Sequence, residues 1–473
     1  MLRFCRHRVA IGVIACLGLP FAAVSARADT LEGALIQAYQ NNPSLNSQRA
    51  GVRAIDEGVP QALAGYRPRV TVTANGGEQS LSSTAKTGGI VPGAAVTYLT
   101  QSGYNAPYGA GATITQTLFN GFQTANRTRQ AESQVLAARA TLRTSEQTVL
   151  LSAATAYMNL LRDGAILDLQ RRNVEVLQEQ LRQTRDRFNV GEVTRTDVAQ
   201  AESSLASGRS QVLSAESNYA ASMATYRQVI GVNPGKLAPG TPVDRFSPGS
   251  LPAAVGSATA THPAVTTAQF NVDAALLAVK VAEGALYPTL SVTGQVQKNF
   301  MSASSLNIYE SYSASVLGQL SIPIYQGGAE YSAVRQAKET LGQRRLDFDT
   351  ARDTVRQGVA QSWGQLDAAK ANIDATTAAV QASEIALNGV REEARVGQRT
   401  TYDVLVAQQN LVNARVSLVT AQRDRVVASY TLLAAVGRLA PEVLGLRVPV
   451  YSPVVHYEQV RDSWAGVRIP DGR

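Results

Sequence analysis

The sequence repeats itself once, and each copy limits what the other can be. Asn42-Pro43-Ser44-Leu45 matches His262-Pro263-Ala264-Val265, and Pro68-Arg69-Val70-Thr71-Val72-Thr73 matches Pro288-Thr289-Leu290-Ser291-Val292-Thr293, both 220 residues apart. Leu118-Phe119-Asn120-Gly121 then matches Ile324-Tyr325-Gln326-Gly327 at 206, and that offset persists to Gly231 with Gly437. The difference, 220 − 206 = 14, places 14 additional residues in the first copy between positions 74 and 113. A length of 473 residues would ordinarily suggest several compact domains. The duplication predicts one structural unit over 29–240 and a second over 241–440, with the length difference in a tolerant loop.

Within each unit the hydrophobic period changes. Val70, Val72 and Ala74 alternate with Thr71 and Thr73, and Ala110, Ala112 and Ile114 alternate with Gly111, Thr113 and Thr115. The second copy repeats the pattern through Leu290, Val292, Gly294 and Val296 and through Ala314, Val316, Gly318, Leu320 and Ile322. These are four period-two strands, each with one apolar and one small-polar face. The stretches around Gly76-Gly77, Gly88-Gly89 and Met301 to Asn307 read as loops.

The remainder is helical. No proline occurs from 108 to 233 or from 324 to 440, and Ala, Gln, Arg, Leu and Glu dominate both runs. Leu160, Leu167, Val174, Leu181 and Phe188 recur every seventh residue, as do Leu366, Ile373, Val380, Leu387 and Ala394. Val198, Leu205, Val212, Tyr219 and Tyr226 continue the spacing, as do Val404, Leu411, Leu418 and Leu432, interrupted by Arg425. A seven-residue repeat favours left-handed coiled packing, although a bundle core can also supply one stripe. One helix over 122–187 would reach about 100 Å, too long for a compact domain. Residues 441–473, with Pro449, Pro453 and Pro470, lack the repeat and read as an extended tail.

The first 28 residues address the chain. Arg3, Arg6 and Arg8 precede the apolar run Val9 to Val24, and Ala26-Arg27-Ala28 offers a cleavage point before Asp29. This is the pattern of a secretory signal peptide, with a lipoprotein box at Cys16 as the rival. Subtracting it removes four arginines and no acid, so the formal charge falls from +8 to +4 and nucleic acid is not an expected partner. Both cysteines, Cys5 and Cys16, go with it, which leaves no thiol for a disulfide, a metal or a nucleophile. There is no phosphate loop, no G-x-S-x-G and no His-rich metal spacing, so neither catalytic residues nor a cofactor nor a metal is expected.

Four amphipathic strands are too few for a membrane barrel, and an open sheet in lipid would leave two unpaired edges. Several chains pooling their strands, continued by long helices, would solve both problems. At these residues the sequence resembles the TolC-like outer-membrane efflux and secretion ducts, from about Leu31 to Leu439. The Asn42-Pro43 and His262-Pro263 pairs, the Leu118-Phe119-Asn120-Gly121-Phe122 and Ile324-Tyr325-Gln326-Gly327-Gly328 junctions, and two turns carry the resemblance. The turns are Arg187 to Val198 around Val190-Gly191 and Val396 to Leu405 around Val396-Gly397. The resemblance implies a mainly α fold with β structure: a homotrimer with a 12-stranded barrel in outer-membrane lipid and a long periplasmic helical barrel. It further implies docking on a periplasmic adaptor and an inner-membrane transporter of RND or ABC type, for efflux or type I secretion. A cell-surface coiled-coil structural or adhesive protein is the alternative; it accounts for the heptads but not for the strand pairs.

The two turns also have a local reading. Gly191 and Gly397 suit the left-handed position that ends a helix, and Thr194 with Asp197 and Thr400 with Asp403 suit capping boxes. The resemblance adds a periplasmic entrance, with Arg399 bonding Asp197 and Thr196 of a neighbouring turn and Asp403 lining the constriction. Val190, Gly191, Glu192, Val396, Gly397 and Gln398 would meet the adaptor. Val406 and Ala394 stand where family members can carry a second acid and a tyrosine, which implies a looser latch.

Overall fold

The computed structural model describes residues 29–88, 95–300 and 310–470. The expected signal peptide, the Gly89 part of one expected loop and the loop from Met301 to Asn307 lie outside the described residues. Helices α1 (Leu31–Asn41), α2 (Pro43–Asp56) and α3 (Gly58–Leu63) lead into strand β1 (Arg69–Gly76). Strands β2 (Gln79–Thr87), β3 (Thr97–Asn105) and β4 (Tyr108–Asn120) follow, and then the long hairpin of α4 (Gln123–Asn189) and α5 (Arg195–Ile230). The second pass comprises α6 (Leu251–Thr261), α7 (Pro263–Gly284), β5 (Thr289–Phe300), β6 (Glu310–Ser321), α8 (Ala329–Arg395) and α9 (Thr401–Ala435). Two short helices, α10 (Pro441–Leu444) and α11 (Pro453–Val460), close the chain. Helices α4 and α8 each have 67 residues, about 100 Å at 1.5 Å per residue.

The heptad residues do not share one burial. Leu160, Leu167 and Leu181 are buried, whereas Phe188, at the end of α4, is exposed. Near that end Leu405 of α9 packs among Leu177, Leu181, Ala201 and Leu205, so the two helical hairpins of one chain are joined side by side. The largest core lies midway along α4 and at the C-terminal ends of α5 and α9, where Leu35, Tyr39 and Leu45 pack on Leu150, Tyr157, Tyr226 and Leu433. Elsewhere the long helices leave apolar side chains in the open: Leu213 on α5, and Leu346 and Ile385 on α8, are each about two-thirds exposed or more.

The entry helices share one device. Asn42 and His262 each occupy the cap position before a proline, and each side chain accepts from the backbone of the first turn: Asn42 Oδ1 from Ser44 N at 3.0 Å, His262 Nδ1 from Ala264 N at 3.1 Å. Such a cap contributes about 1 kcal/mol. To accept at Nδ1 the imidazole must be neutral, and burial holds its pKa below the ordinary histidine value. A base whose folded pKa lies below its unfolded value of about 6.5 loses stability as pH falls through that value, because the unfolded chain then takes up the proton. Thermal melts between pH 8 and pH 5 should therefore show a downward slope that His262→Asn, which keeps the cap, reduces; an unchanged slope would contradict this.

Two sequence expectations are corrected. Residues 69–120 hold not two strands but four: β2 and β3 form a second hairpin that prolongs the β1–β4 pair, with Gly77 N bonded to Pro107 O at 3.1 Å across the join. Thr and Ser dominate β2, β3 puts Leu99 on one face and Tyr98 and Tyr104 on the other, and Thr84 and Thr100 share a hydroxyl hydrogen bond of 2.8 Å. With no apolar face, this hairpin has no period-two hydrophobic signal to read. The tail is not extended either. Helix α11 packs on α2, with His456 Nδ1 3.2 Å from the Asp56 carboxylate and both residues buried, while the Arg139 guanidinium lies over the Tyr457 ring. Farther on, Arg67 donates to the Ser463 carbonyl and stacks on Trp464.

Candidate functional site

Two regions of the chain bear on the expected duct, the sheet and the helical tips. The sheet runs β1-β4-β5-β6, antiparallel throughout, so β1 and β6 are its unpaired edges. The register sorts its side chains into two chemistries. Val70, Ile114, Gly294 and Val316 form one cross-strand row, and Val72, Ala112, Val296 and Ala314 the next, all on one face. The opposite face carries Thr71, Thr113, Gln295 and Ser315, then Thr73, Gly111, Gln297 and Ser313. Val70, Val72, Val316 and Leu320 are all at least 60% exposed, so among the described residues nothing covers the apolar face.

Aromatic residues bracket that face. Tyr108 stacks on Phe300 at 4.8 Å at one end, beside Tyr312, and Phe119 meets Phe122 edge-on at 5.3 Å at the other. From Leu290 to Phe300 is 300 − 290 = 10 residue steps on β5. At about 3.4 Å per step and the tilt of about 45° usual in membrane barrels, that would span roughly 25 Å, the height of the apolar band in such barrels.

The helical tips are built by matching local rules. At the first, Glu192 N bonds Arg187 O and Gly191 N bonds Phe188 O, both at 2.9 Å, with Gly191 at φ +79°. At the second, Gln398 N bonds Glu393 O at 2.9 Å and Gly397 N bonds Ala394 O at 3.2 Å, with Gly397 also at φ +79°. Both are glycine-terminated helix ends that satisfy otherwise orphaned carbonyls. The return helices begin with complete capping boxes: Asp197 Oδ2 accepts from Thr194 N at 2.9 Å, and Asp403 Oδ2 accepts from Thr400 N at 3.0 Å. The Thr194 hydroxyl and amide hold the Asp197 carboxyl below the usual range, and the Thr400 amide and hydroxyl do the same for Asp403, so both stay ionised at physiological pH.

A crevice of about 1060 Å³ separates the two tips of the chain, and Glu192, Asp197, Gly397 and Arg399 all line it. Thr196, Asp403, Val190, Gly191, Val396 and Gln398 lie outside that lining, and Val190 and Val396 are more than 70% exposed. Within the chain Arg399 is engaged by Glu393, Nε to Oε2 at 2.9 Å, and Arg187 by Glu192 at 2.6 Å. The sequence signal for these pairs is an acid and an arginine flanking a turn glycine, five or six positions apart, and it lies outside the capping-box pattern. Deeper, Arg391 donates to Gln408, whose amide reaches Asn173 of α4 at 3.4 Å. The charges over each tip cancel: Arg187, Glu192, Arg195 and Asp197 sum to zero, as do Arg391, Glu392, Glu393, Arg395, Arg399 and Asp403.

The sequence matches the family described as outer membrane efflux protein, in two segments, residues 34–232 and 254–438. The chain belongs to the outer membrane efflux protein family. This efflux protein is 41% identical over 469 residues to the outer membrane efflux protein BepC of Brucella suis biovar 1, covering 99% of this chain and 98% of that one. It is 29% identical over 328 residues to the outer membrane protein TolC of Escherichia coli, 66% of each. Its fold superposes on the outer membrane protein VceC of Vibrio cholerae with a TM-score of 0.71 at 19% identity, covering 86% of this chain and 96% of that chain. The efflux protein is accordingly an outer-membrane protein of the TolC family, a family of channels rather than enzymes.

Proposed function

We propose that three copies of this chain form an outer-membrane duct, each lending four strands to a barrel of 4 × 3 = 12 and two helical hairpins to a periplasmic tube. The two-faced sheet with open edges carries this reading. An edge left in lipid costs several kcal/mol for each unpaired backbone group, and pairing β6 of one copy with β1 of the next removes both edges. The apolar face then meets lipid and the Thr, Ser and Gln face lines water. Leu213, Leu346 and Ile385, exposed on the helices of one chain, are the side chains that contacts between copies would cover. A surface rod without a channel, by contrast, has no use for the apolar face.

The chain is read as two copies of one unit. The starts of α1 and α6 differ by 251 − 31 = 220 and those of α4 and α8 by 329 − 123 = 206, and the two family segments carry the same offsets, 254 − 34 = 220 and 438 − 232 = 206. The tips form the periplasmic gate. Thr196, Asp197, Arg399 and Asp403 of three copies surround the axis, and the turns Val190-Gly191-Glu192 and Val396-Gly397-Gln398 meet a periplasmic adaptor linked to an inner-membrane transporter. Arg399, held by Glu393 in the isolated chain, can exchange that partner for an acid on an adjoining tip.

Reconstitution in planar bilayers tests the duct, and Arg399→Ala tests the gate. The variant should raise single-channel conductance severalfold and sensitise cells to large antibiotics, since a directional charge-assisted contact is lost three times over. Conductance and susceptibility equal to wild type would remove Arg399 from the gate. Crosslinking the intact protein in cells identifies the adaptor and transporter, and the transporter determines whether the cargo is a drug or a protein.

A further inference from the structure

We propose that Arg69 sets the charge selectivity of the barrel, favouring anionic solutes at the exit of the duct. The inference deepens the trimeric-barrel reading and rests on it. In the four-stranded sheet the polar face consists of Thr, Ser, Gln, Asn and Gly, with two exceptions in a single row: Arg69, Thr115, Thr293 and Leu317. Arg69 is therefore the sole ionisable side chain on that face among the described residues. The other charges of the sheet, Lys298 and Glu310, lie on the opposite face and neutralise each other at 3.1 Å. In the hairpin beyond, Glu78 and Lys86 balance in number.

Arg69 is exposed at the first position of β1, and among the described residues no carboxylate lies within ion-pairing distance of it. Its neighbour Arg67, in contrast, is committed to the Ser463 carbonyl and the Trp464 ring. Three copies place a ring of three guanidinium groups at one level of the lumen, near the junction with the helices. On the polar face of the sheet this ring has no fixed negative charge to offset it, and each helical tip is neutral in sum. Twelve strands about 4.8 Å apart, tilted about 40°, enclose a backbone cylinder roughly 24 Å across, narrowed further by side chains. The radius left is comparable to the Debye length of about 10 Å at 0.1 M salt, so the ring's field reaches the axis and strengthens as salt is lowered.

The test exploits the absence of cysteine after Cys16. Arg69→Cys protein is reconstituted in planar bilayers, and the reversal potential is read across a tenfold KCl gradient before and after labelling with a cationic or an anionic methanethiosulfonate. The cationic label should restore the wild-type potential. The anionic label should shift the chloride-to-potassium permeability ratio toward potassium by roughly threefold, with a larger shift at low salt. Because both labels act on one folded protein, folding differences between variants do not enter. Arg69→Gln, which should move the ratio in the same direction by less, provides a second variant. Conducting channels whose reversal potential ignores the sign of the label, or which do not react with it, overturn the role of Arg69 and leave the barrel standing. A wild-type chain that forms no channel overturns the barrel reading and this inference with it.

Discussion

Replacing Gly121 with valine is expected to prevent the assembled form from accumulating. Gly121 turns β4 into α4 at φ +63°, and a Cβ built on it would lie 2.2 Å from the Gly284 carbonyl oxygen and 2.8 Å from Tyr287 Cβ. The conformation alone costs a non-glycine residue about 1–2 kcal/mol, more when β-branched, and forcing the α7 backbone aside adds about 1–3 kcal/mol. Gly327, 206 residues later, supplies the control. It has φ +70° but nothing within 4 Å of its Cβ position, so Gly327→Val carries the conformational cost without the collision. Heat-modifiable oligomer on gels should be lost for Gly121→Val and retained, with a lower melting temperature, for Gly327→Val. Equal behaviour of the two would show that contact with α7 is unimportant at this junction.

The second large effect is expected at the docked tail. Burial pushes the Asp56 carboxyl upward in pKa, while the hydrogen bond from His456 and the Arg139 guanidinium at 3.9 Å pull it back. His456→Leu keeps α11 in place but leaves the fully buried Asp56 without its nearest partner, a loss of roughly 3 kcal/mol. Replacing both residues with leucine removes the stranded charge, so Asp56→Leu with His456→Leu should be more stable than His456→Leu alone. A double-mutant cycle by thermal melting checks this; additive losses would show that the pair does not interact.

Sequence and structure agree where a signal repeats, and part where it does not. The strand pairs announce themselves through Val70, Val72 and Ile114 and their counterparts, and the long helices through proline-free heptads, because each pattern follows from one face being apolar. The β2–β3 hairpin escapes because neither of its faces is continuously apolar: Tyr98 and Tyr104 fall on one and Leu99 on the other, among Ser, Thr and Gln. The tail escapes because its prolines suggest an extended chain, while Pro453 in fact opens α11 and its docking partners, Asp56 for His456 and Arg139 for Tyr457, lie more than 300 positions away in sequence. At the tips, the glycine turns and capping boxes are legible because they are local. The Arg399 to Glu393 and Arg187 to Glu192 pairs depend on how the last turn of each long helix is wound, which no period discloses.

The proposed duct requires that β6 of one copy pair with β1 of the next until three copies close. In outer membranes containing a protein with Thr71→Cys on β1 and Ser315→Cys on β6, a short thiol crosslinker should yield a ladder that ends at three chains, its last band migrating as a closed ring. Crosslinks confined to single chains, or a ladder ending at any other number, would contradict it.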